Sequence, residues 1–155
     1  MLYDNEQKPF FIVIRYDNYG ISDEVDSVTG LYTEPALNYR ITQLLEAKSP
    51  SALLKIGLDQ FSHINVMYSV AFADKILNKV AQSLLHMVRN IGSAYRLSGA
   101  KFVLVLDKIS KTELRDIFDF IEDALANNIE VNGKRIPISW KLDSSYRFER
   151  YLKDT

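Results

Sequence analysis

The stretch SAYRLSGAKFVLVLD, residues 93–107, contains two β-prone runs separated by a short polar segment. Aromatic, aliphatic and β-branched residues dominate these runs, and Ser98 and Gly99 stand between them. Glycine adopts backbone conformations that are closed to other residues, so a Ser-Gly pair between two such runs is typical of a hairpin turn. The sequence therefore predicts a pair of antiparallel strands, and the neighbouring segments indicate the sheet to which they belong.

Long amphipathic helices are predicted on both sides of this hairpin. On its N-terminal side, apolar residues recur with the 3.6-residue period of an α-helix over residues 70–89, at Ala73, Ile76, Leu77, Val80, Ala81, Leu84 and Val88. On its C-terminal side, Ser110 and Glu113 match a capping box. A second apolar helical face follows, made of Leu114, Ile117, Phe118, Ile121 and Leu125. We therefore expect one helix before the hairpin and one after it.

Two further segments complete the pattern. The apolar run SALLKIGL, residues 51–58, predicts a buried strand, and Asn132-Gly133 in IEVNGKRIPISWKL predicts a type I′ turn between two strands. From residue 51 the order is strand, helix, strand, strand, helix, strand, which is typical of an α+β fold of the ferredoxin-like or palm type. Right-handed crossovers place residues 51–58 and 102–107 side by side and antiparallel at the sheet centre. The end of the first strand would then lie beside the turn of the hairpin.

The first 50 residues add a helix and a strand to this core. EPALNYRITQLLEA, residues 34–47, predicts a short amphipathic helix with Thr33 as its N-cap and Pro35 in its first turn. PFFIVIRY, residues 9–16, predicts a strand, and a polar, acidic linker follows it. This strand is open to three interpretations: an edge strand of the same domain, an apolar segment that docks on a partner chain, or the last strand of a preceding domain.

The composition is that of an ordinary globular domain, and it excludes several classes of site. A net charge of −1 provides no long-range attraction for nucleic acid or for an anionic membrane. The absence of cysteine excludes disulfides and thiolate metal sites, and two histidines are too few for a zinc site built from histidine alone. No apolar run reaches the roughly 20 residues of a membrane span, and the N-terminus lacks the features of a signal peptide. We therefore expect a cytoplasmic protein whose partners are neither nucleic acids nor membranes.

Three segments of the chain, DSVTGLYTEPAL, IGLDQFSHIN and RLSGAKFVLVL, carry recognisable motifs. In this order they resemble D-x-L-T-G-L-x-N-R, D-x-D-x-F-K-x-I-N and R-x-G-G-D-E-F of the GGDEF family, the diguanylate cyclases that condense two GTP molecules into cyclic di-GMP. The resemblance runs from Asp26 to Trp140 and implies a palm-like fold. It also implies a domain over residues 26–155 that lacks the family's final helix. Residues 1–25 resemble the closing strand of a PAS-type domain and a linker.

The resemblance is weakest at the residues that carry the family's chemistry. The signature is SGAKF in this chain, residues Ser98, Gly99, Ala100, Lys101 and Phe102. Ala100 and Gly57 stand where the family has carboxylates that hold magnesium, and Ser98 replaces a glycine that approaches the phosphates. Magnesium needs hard oxygen ligands, which neither alanine nor glycine supplies with its side chain. The resemblance therefore implies that no metal cofactor is held and that the chain is not an enzyme.

Other positions of the resemblance are retained. Asn65 and Asp74 correspond to the residues that contact guanine in active relatives, and Lys101 would lie near the phosphate end of the same cleft. The alternatives are that Asn65 caps a helix and that Asp74 is a favourable acid in a first helical turn. Of the family's inhibitory motif R-x-x-D, Arg89 remains and Gly92 replaces the acid. The alternative for Arg89 is a solvated charge at a helix end.

Three hypotheses for function follow. The first is a regulatory module of a bacterial cyclic di-GMP signalling protein, one that binds GTP or a related nucleotide without turnover. The second is an interaction module, for neighbouring domains of a longer chain or for a second copy of itself. The third is a weak diguanylate cyclase in which Asp59 is a substitute magnesium ligand. Asp59 lies two residues beyond Gly57, and a strand places both on one face.

Overall fold

The computed structural model describes residues 2–3, 9–11, 24–59, 61–127 and 129–146 of the chain. Within these ranges the strands are β1 (Leu2–Tyr3), β2 (Pro9–Phe11), β3 (Ser51–Leu58), β4 (Gly92–Arg96), β5 (Lys101–Asp107), β6 (Glu130–Val131), β7 (Lys134–Arg135) and β8 (Trp140–Tyr146). The helices are α1 (Glu34–Ala47), α2 (Phe61–Met67), α3 (Val70–Val88) and α4 (Lys111–Asn127). No helix in the described part of the chain combines the length and the apolar character that crossing a membrane requires.

The central sheet consists of four strands in the order β4-β5-β3-β8, and each neighbouring pair is antiparallel. β3 and β5 pair from Ser51 opposite Asp107 to Gly57 opposite Lys101, so the predicted central pairing is confirmed. On its other edge β3 pairs with β8, where Gly57 stands opposite Lys141. The predicted α+β palm-type order is therefore present, and β3 is hydrogen-bonded along both of its edges.

Alternate side chains of β3 enter two separate cores. One set belongs to a large cluster with the apolar faces of α3 and α4: Ala52, Leu54, Ile56 and Leu58. Leu53 lies in a second cluster on the other face of the sheet, where it packs with Leu37, Ile41, Leu44, Tyr95, Val103 and Val105. The two long helices therefore cover one face and α1 covers the other. Burial on both faces explains why SALLKIGL is almost continuously apolar.

The helix starts follow the local sequence signals, with one difference. The capping box is confirmed, since the Glu113 backbone N–H donates to Ser110 Oγ (3.1 Å) and the Ser110 N–H donates to Glu113 Oε1 (3.2 Å). α3 begins with Ser69, whose Oγ accepts the Phe72 N–H at 3.0 Å. Thr33 occupies the N-cap of α1 but makes no side-chain bond to the helix. Its hydroxyl donates instead to the Glu24 carbonyl at 3.4 Å, so it joins α1 to the preceding segment.

The predicted turn at Asn132-Gly133 joins β6 to β7 in a small hairpin. Both residues have positive φ, 54° and 79°, as a type I′ turn requires. The flanking apolar residues Ile129, Val131, Ile136 and Ile138 are buried in the large core. The hairpin is therefore anchored on the sheet face that α3 and α4 cover.

Two parts of the chain differ from the sequence prediction or lie outside the description. The seven-residue helix α2 was not predicted, because its residues make no buried stripe. The predicted strand over residues 9–16 is described only over β2, which pairs with β1 in a separate two-stranded sheet. The remainder of that strand and most of the linker lie outside the described residues. The domain boundary at residue 25 therefore stays a prediction.

β4 and β5 approach each other very closely at Gly92. A Cβ atom at this position would lie 1.9 Å from the Val105 carbonyl oxygen and 2.9 Å from the Val105 carbonyl carbon. Both are backbone atoms of a central strand and cannot move aside without disturbing the sheet. At Gly57 in β3, by contrast, an added Cβ would meet no atom within 4 Å.

We expect Gly92→Ala to lower the free energy of unfolding by more than about 2 kcal/mol, because the strand pair must separate to admit a methyl group. Gly57→Ala is the matched control, and should leave this free energy unchanged or raise it by about 0.5 kcal/mol. Urea denaturation followed by circular dichroism measures both. Equal effects of the two substitutions would contradict the close approach at Gly92.

Candidate functional site

The topology brings the end of β3 next to the turn between β4 and β5, as the sequence predicts. The turn consists of residues 98–101 and is called the signature turn below. The Leu58 N–H donates to the Ala100 carbonyl at 3.0 Å, and Gly57 stands opposite Lys101 in the strand pair. Segments separated by about forty residues therefore meet at one end of the sheet.

The signature turn is a tight hairpin turn whose shape is fixed by an arginine. The Lys101 N–H donates to the Ser98 carbonyl at 3.1 Å, and Gly99 has a φ of 56°, which favours glycine. The side chain of Arg96 folds over the turn and donates from Nε (2.9 Å) and Nη2 (2.7 Å) to the Gly99 carbonyl. This two-point contact holds the turn against β4.

The same arginine binds the segment that precedes α1. Arg96 Nη1 lies 2.9 Å from Asp26 Oδ2, and both side chains are largely buried. Asp26 Oδ2 also accepts the Thr29 N–H at 2.8 Å and the Thr29 hydroxyl at 2.7 Å. The sequence patterns did not predict this contact between the two motifs. The sequence does contain a signal for this contact, because Asp26 and Arg96 carry opposite charges and each is the first residue of its motif.

Burial acts to raise the pKa of Asp26, but the hydrogen bonds from Thr29 and Arg96 and the charge of Arg96 outweigh it. The net effect is a pKa below the ordinary value of 3.8. Asp26 is therefore charged at neutral pH, and its charge stabilises the link between the N-terminal segment and the signature turn.

A cavity of about 400 Å³, called the Gly57 cavity below, opens beside the signature turn. It is lined by Lys55, Gly57, Leu58, Asp59, Phe61, Ala100, Lys101, Lys141 and Asp143. The cavity therefore brings together four residues that the sequence analysis singled out: Gly57, Asp59, Ala100 and Lys101. Lys55, Lys141 and Asp143 were not predicted to belong to a site.

A larger cavity of about 760 Å³, called the Asp74 cavity below, lies between α3 and the β6–β7 hairpin. It is lined by Ser27, Val28, Asp74, Lys75, Asn78, Lys79, Glu130, Val131, Asn132 and Gly133. Asn78 Nδ2 donates to the Val28 carbonyl at 3.0 Å, and Lys75 Nζ donates to Asn132 Oδ1 at 3.4 Å. These bonds tie α3 to both walls of the cavity.

The structure does not bring the three predicted nucleotide-binding residues into one cavity. Asp74 lines one cavity and Lys101 lines the other, while Asn65 is exposed on α2 and lines neither of them. The alternative interpretations were a helix cap for Asn65 and a first-turn acid for Asp74. Neither is observed, because Asn65 lies inside α2 and Asp74 lies beyond the first turn of α3. A role for Asn65 in guanine binding stays a prediction.

The remnant of the inhibitory motif lies at the end of α3. Arg89 is the C-cap residue of this helix and is exposed, as its alternative interpretation predicts. Gly92, at the position of the missing acid, is the residue that leaves no room for a Cβ atom. The acid of the motif is therefore missing at a position where β4 and β5 leave no space for a side chain.

The donor set around the Gly57 cavity does not fit the magnesium ions that the family's carboxylates hold. Gly57 and Ala100 offer no side-chain oxygen, and the two carboxylates of the cavity, Asp59 and Asp143, share it with three lysines. Across the described ranges no group of three or more histidines, aspartates and glutamates could hold a metal ion. Magnesium favours sites with a surplus of oxygen ligands and negative charge, which this arrangement lacks.

Comparison with known proteins identifies relatives over most of the chain. The model of the family "Diguanylate cyclase, GGDEF domain" matches residues 23–144. Diguanylate cyclase A of Treponema denticola is 29% identical over 113 residues, which are 72% of this chain and 30% of the relative. Diguanylate cyclase VdcA of Vibrio cholerae is 31% identical over 80 residues, 52% of this chain and 24% of the relative. The uncharacterized membrane protein SSP1970 of Staphylococcus saprophyticus is 37% identical over 101 residues, 63% of this chain and 28% of the relative.

Solved structures with the same fold include a diguanylate cyclase and a protein with a GGDEF domain. SiaD of Pseudomonas aeruginosa, in complex with its activator SiaC, has a TM-score of 0.71 and 17% identity, over 86% of this chain and 54% of that one. The coiled coil and GGDEF domain of DgcB from Caulobacter crescentus, in complex with c-di-GMP, has a TM-score of 0.68 and 16% identity, over 77% and 67% of the two chains. At these identities the structural likeness shows the fold alone.

These matches overturn one expectation. The prediction that the chain is not an enzyme is wrong, because the matched family is an enzyme family and two of these relatives are named diguanylate cyclases. The loss of signature residues does not by itself show a loss of activity. The chain spans less than a third of the length of these three curated relatives, so the activity of a whole protein is not established by them.

The link between Asp26 and Arg96 should make stability depend on pH. Because the pKa of Asp26 is lowered in the folded state, its stabilising effect is complete above about pH 5 and is lost as the pH falls through the folded-state pKa. Asp26→Asn should lower the free energy of unfolding by about 1–2 kcal/mol at pH 7 and by much less at pH 3. Denaturation curves across this range test it, with exposed Asp119→Asn as control. An equal loss at both pH values would contradict a charged Asp26.

Proposed function

Because the chain belongs to the GGDEF family, a domain of cyclic di-GMP signalling proteins, we propose that it binds GTP with the guanine base in the Asp74 cavity. The observation that carries this proposal is the half-buried carboxylate of Asp74 on the wall of a cavity of about 760 Å³. Cavities of this size accommodate ligands such as a nucleotide base with its ribose.

The chemistry of the cavity suits guanine better than adenine. Guanine presents two adjacent N–H donors on its base-pairing edge, and a carboxylate accepts two parallel hydrogen bonds from such a pair. Adenine has an acceptor where guanine has the N1–H donor, so it would place a lone pair against the carboxylate. Val28 adds an apolar wall, and Lys75 and Lys79 add positive charge at the rim.

In this proposal the domain acts as a regulatory, nucleotide-sensing part of a longer signalling protein. The relatives support such a context: DgcB was solved with c-di-GMP bound, and SiaD was solved with a protein activator. Those ligands belong to those proteins. For this chain, GTP is the proposed ligand, and neighbouring domains of a longer chain are the proposed recipients of the signal.

Calorimetric titration with GTP and ATP at low salt tests the proposal. Asp74→Ala removes the base contact, so it should weaken GTP binding about tenfold or more and leave ATP binding unchanged. Asp116→Ala is the control, because it removes an exposed carboxylate of α4 that lines neither cavity. Equal affinities for GTP and ATP, or no GTP binding at millimolar concentration, would contradict the proposal and favour an interaction module.

Synthesis of cyclic di-GMP is the second candidate, and the position of Asp59 favours it. Asp59 lies just beyond the end of β3 and lines the same cavity as Ala100 and Lys101 of the signature turn. In this second candidate, the carboxylate of Asp59 is the substitute magnesium ligand beside the reacting phosphates.

If GTP is turned over, Asp59→Ala should abolish the product, because no other carboxylate of the Gly57 cavity lies at the end of β3 beside the signature turn. The measurement is chromatography of cyclic di-GMP after incubation with GTP and magnesium. Asp143→Ala removes the second carboxylate of the cavity for comparison. Product that persists unchanged in Asp59→Ala would exclude this residue from the reaction.

A further inference from the structure

Gly57 forms the floor of the Gly57 cavity. It has no side chain, and it lies between two lysines on the neighbouring strands. Gly57 stands opposite Lys101 of β5 on one edge of β3 and opposite Lys141 of β8 on the other. Directly opposite residues of antiparallel strands project from the same face of the sheet. Neighbouring strands lie about 4.8 Å apart, so the two lysine backbones are about 10 Å apart across the bare glycine. An added Cβ at Gly57 would meet no atom within 4 Å, so the space above it is open.

A third lysine lies on the same face. Lys55 precedes Gly57 by two residues in β3, and residues two apart in a strand share a face. All three lysines line the Gly57 cavity. In the described part of the chain none of their ammonium groups takes part in an ion pair or a side-chain hydrogen bond. Their charges are therefore available to a ligand.

The charge balance of the cavity favours an anion. Three lysines face two aspartates, and the positive charges occupy the row that crosses the floor. Asp143 stands opposite Lys55, one row away from Gly57, and Asp59 lies beyond the strand end. By the family resemblance, magnesium is held by acids at the positions of Gly57 and Ala100, and neither side chain here carries a charge. Gly57 supplies no side-chain oxygen to bind a metal ion, and the ammonium groups on both sides of it can bind phosphate oxygens.

We infer that Lys55, Lys101 and Lys141 bind a polyphosphate chain directly above Gly57, with no divalent cation between protein and phosphate. This inference goes beyond the proposed function, because Lys55 and Gly57 lie on the sheet face opposite to α3, which carries Asp74. The ammonium groups supply the counter-charge that magnesium supplies elsewhere. Ammonium groups near the protein surface are screened by salt, so the binding is sensitive to ionic strength.

Titration with GTP and with inorganic tripolyphosphate in EDTA at low salt tests the inference. Both probes should bind without magnesium, and raising the salt concentration from 20 mM to 200 mM should weaken both. Lys101→Gln and Lys141→Gln should each weaken both probes about two- to fivefold, as expected for partly exposed charge pairs. Lys108→Gln is the control, since Lys108 is an exposed lysine just beyond β5 at the opposite end of the sheet.

Gly57→Asp provides the sharpest variant, because a Cβ atom at Gly57 would meet no other atom within 4 Å. A carboxylate there would pair with Lys101 and Lys141, so binding of both probes in EDTA should fall at least tenfold. Gly57→Asn has the same shape without the charge and should fall much less. Equal losses for aspartate and asparagine would overturn the electrostatic role of the lysine row.

The outcomes separate this inference from the proposed function. GTP binding that requires magnesium, or tripolyphosphate that does not bind in EDTA, overturns the inference and leaves the base site of Asp74 standing. Tripolyphosphate that binds in EDTA while GTP binds no better than ATP supports the lysine row and contradicts the guanine site.

Discussion

The pairing of β3 with both of its neighbours is the constraint on which the rest of the structure depends. Side chains alternate along a strand, so the register decides which residues enter the large core and which face the cavity. Leu54 and Ile56 pack under the long helices, while Lys55 and Gly57 lie on the opposite face. A shift of one residue would bury the lysine and expose the leucine. The burial that stabilises the sheet therefore also fixes the positions of the charged groups beside the signature turn.

Much of this architecture follows from local patterns. The helical period before the hairpin, the Ser110 capping box and the Asn132-Gly133 turn are each set by residues close in sequence, and right-handed crossovers then fix the strand order. The helix α2 escaped prediction because it is short and contributes no buried side chain. The bond between Asp26 and Arg96 spans 70 residues, and no periodicity or turn signal encodes such a contact.

The candidate site was only partly predictable, for a related reason. The meeting of Gly57 with the signature turn depends on strand order alone, so the sequence was sufficient. The division into two cavities depends on where α2 and the β6–β7 hairpin lie, which strand order does not determine. Lys141 was missed because its place beside Gly57 depends on the register of β8. The sequence does contain a signal for Lys55, because it is the single charged residue in the apolar run SALLKIGL.

The close approach of β4 and β5 at Gly92 restricts how this domain can change over evolution. An acid at this position would have to displace the Val105 carbonyl of a central strand, which lies 1.9 Å from where its Cβ would stand. A single substitution that restores the R-x-x-D motif would therefore lower the stability of the fold. A compensating change in the spacing of the two strands would be needed to offset that loss.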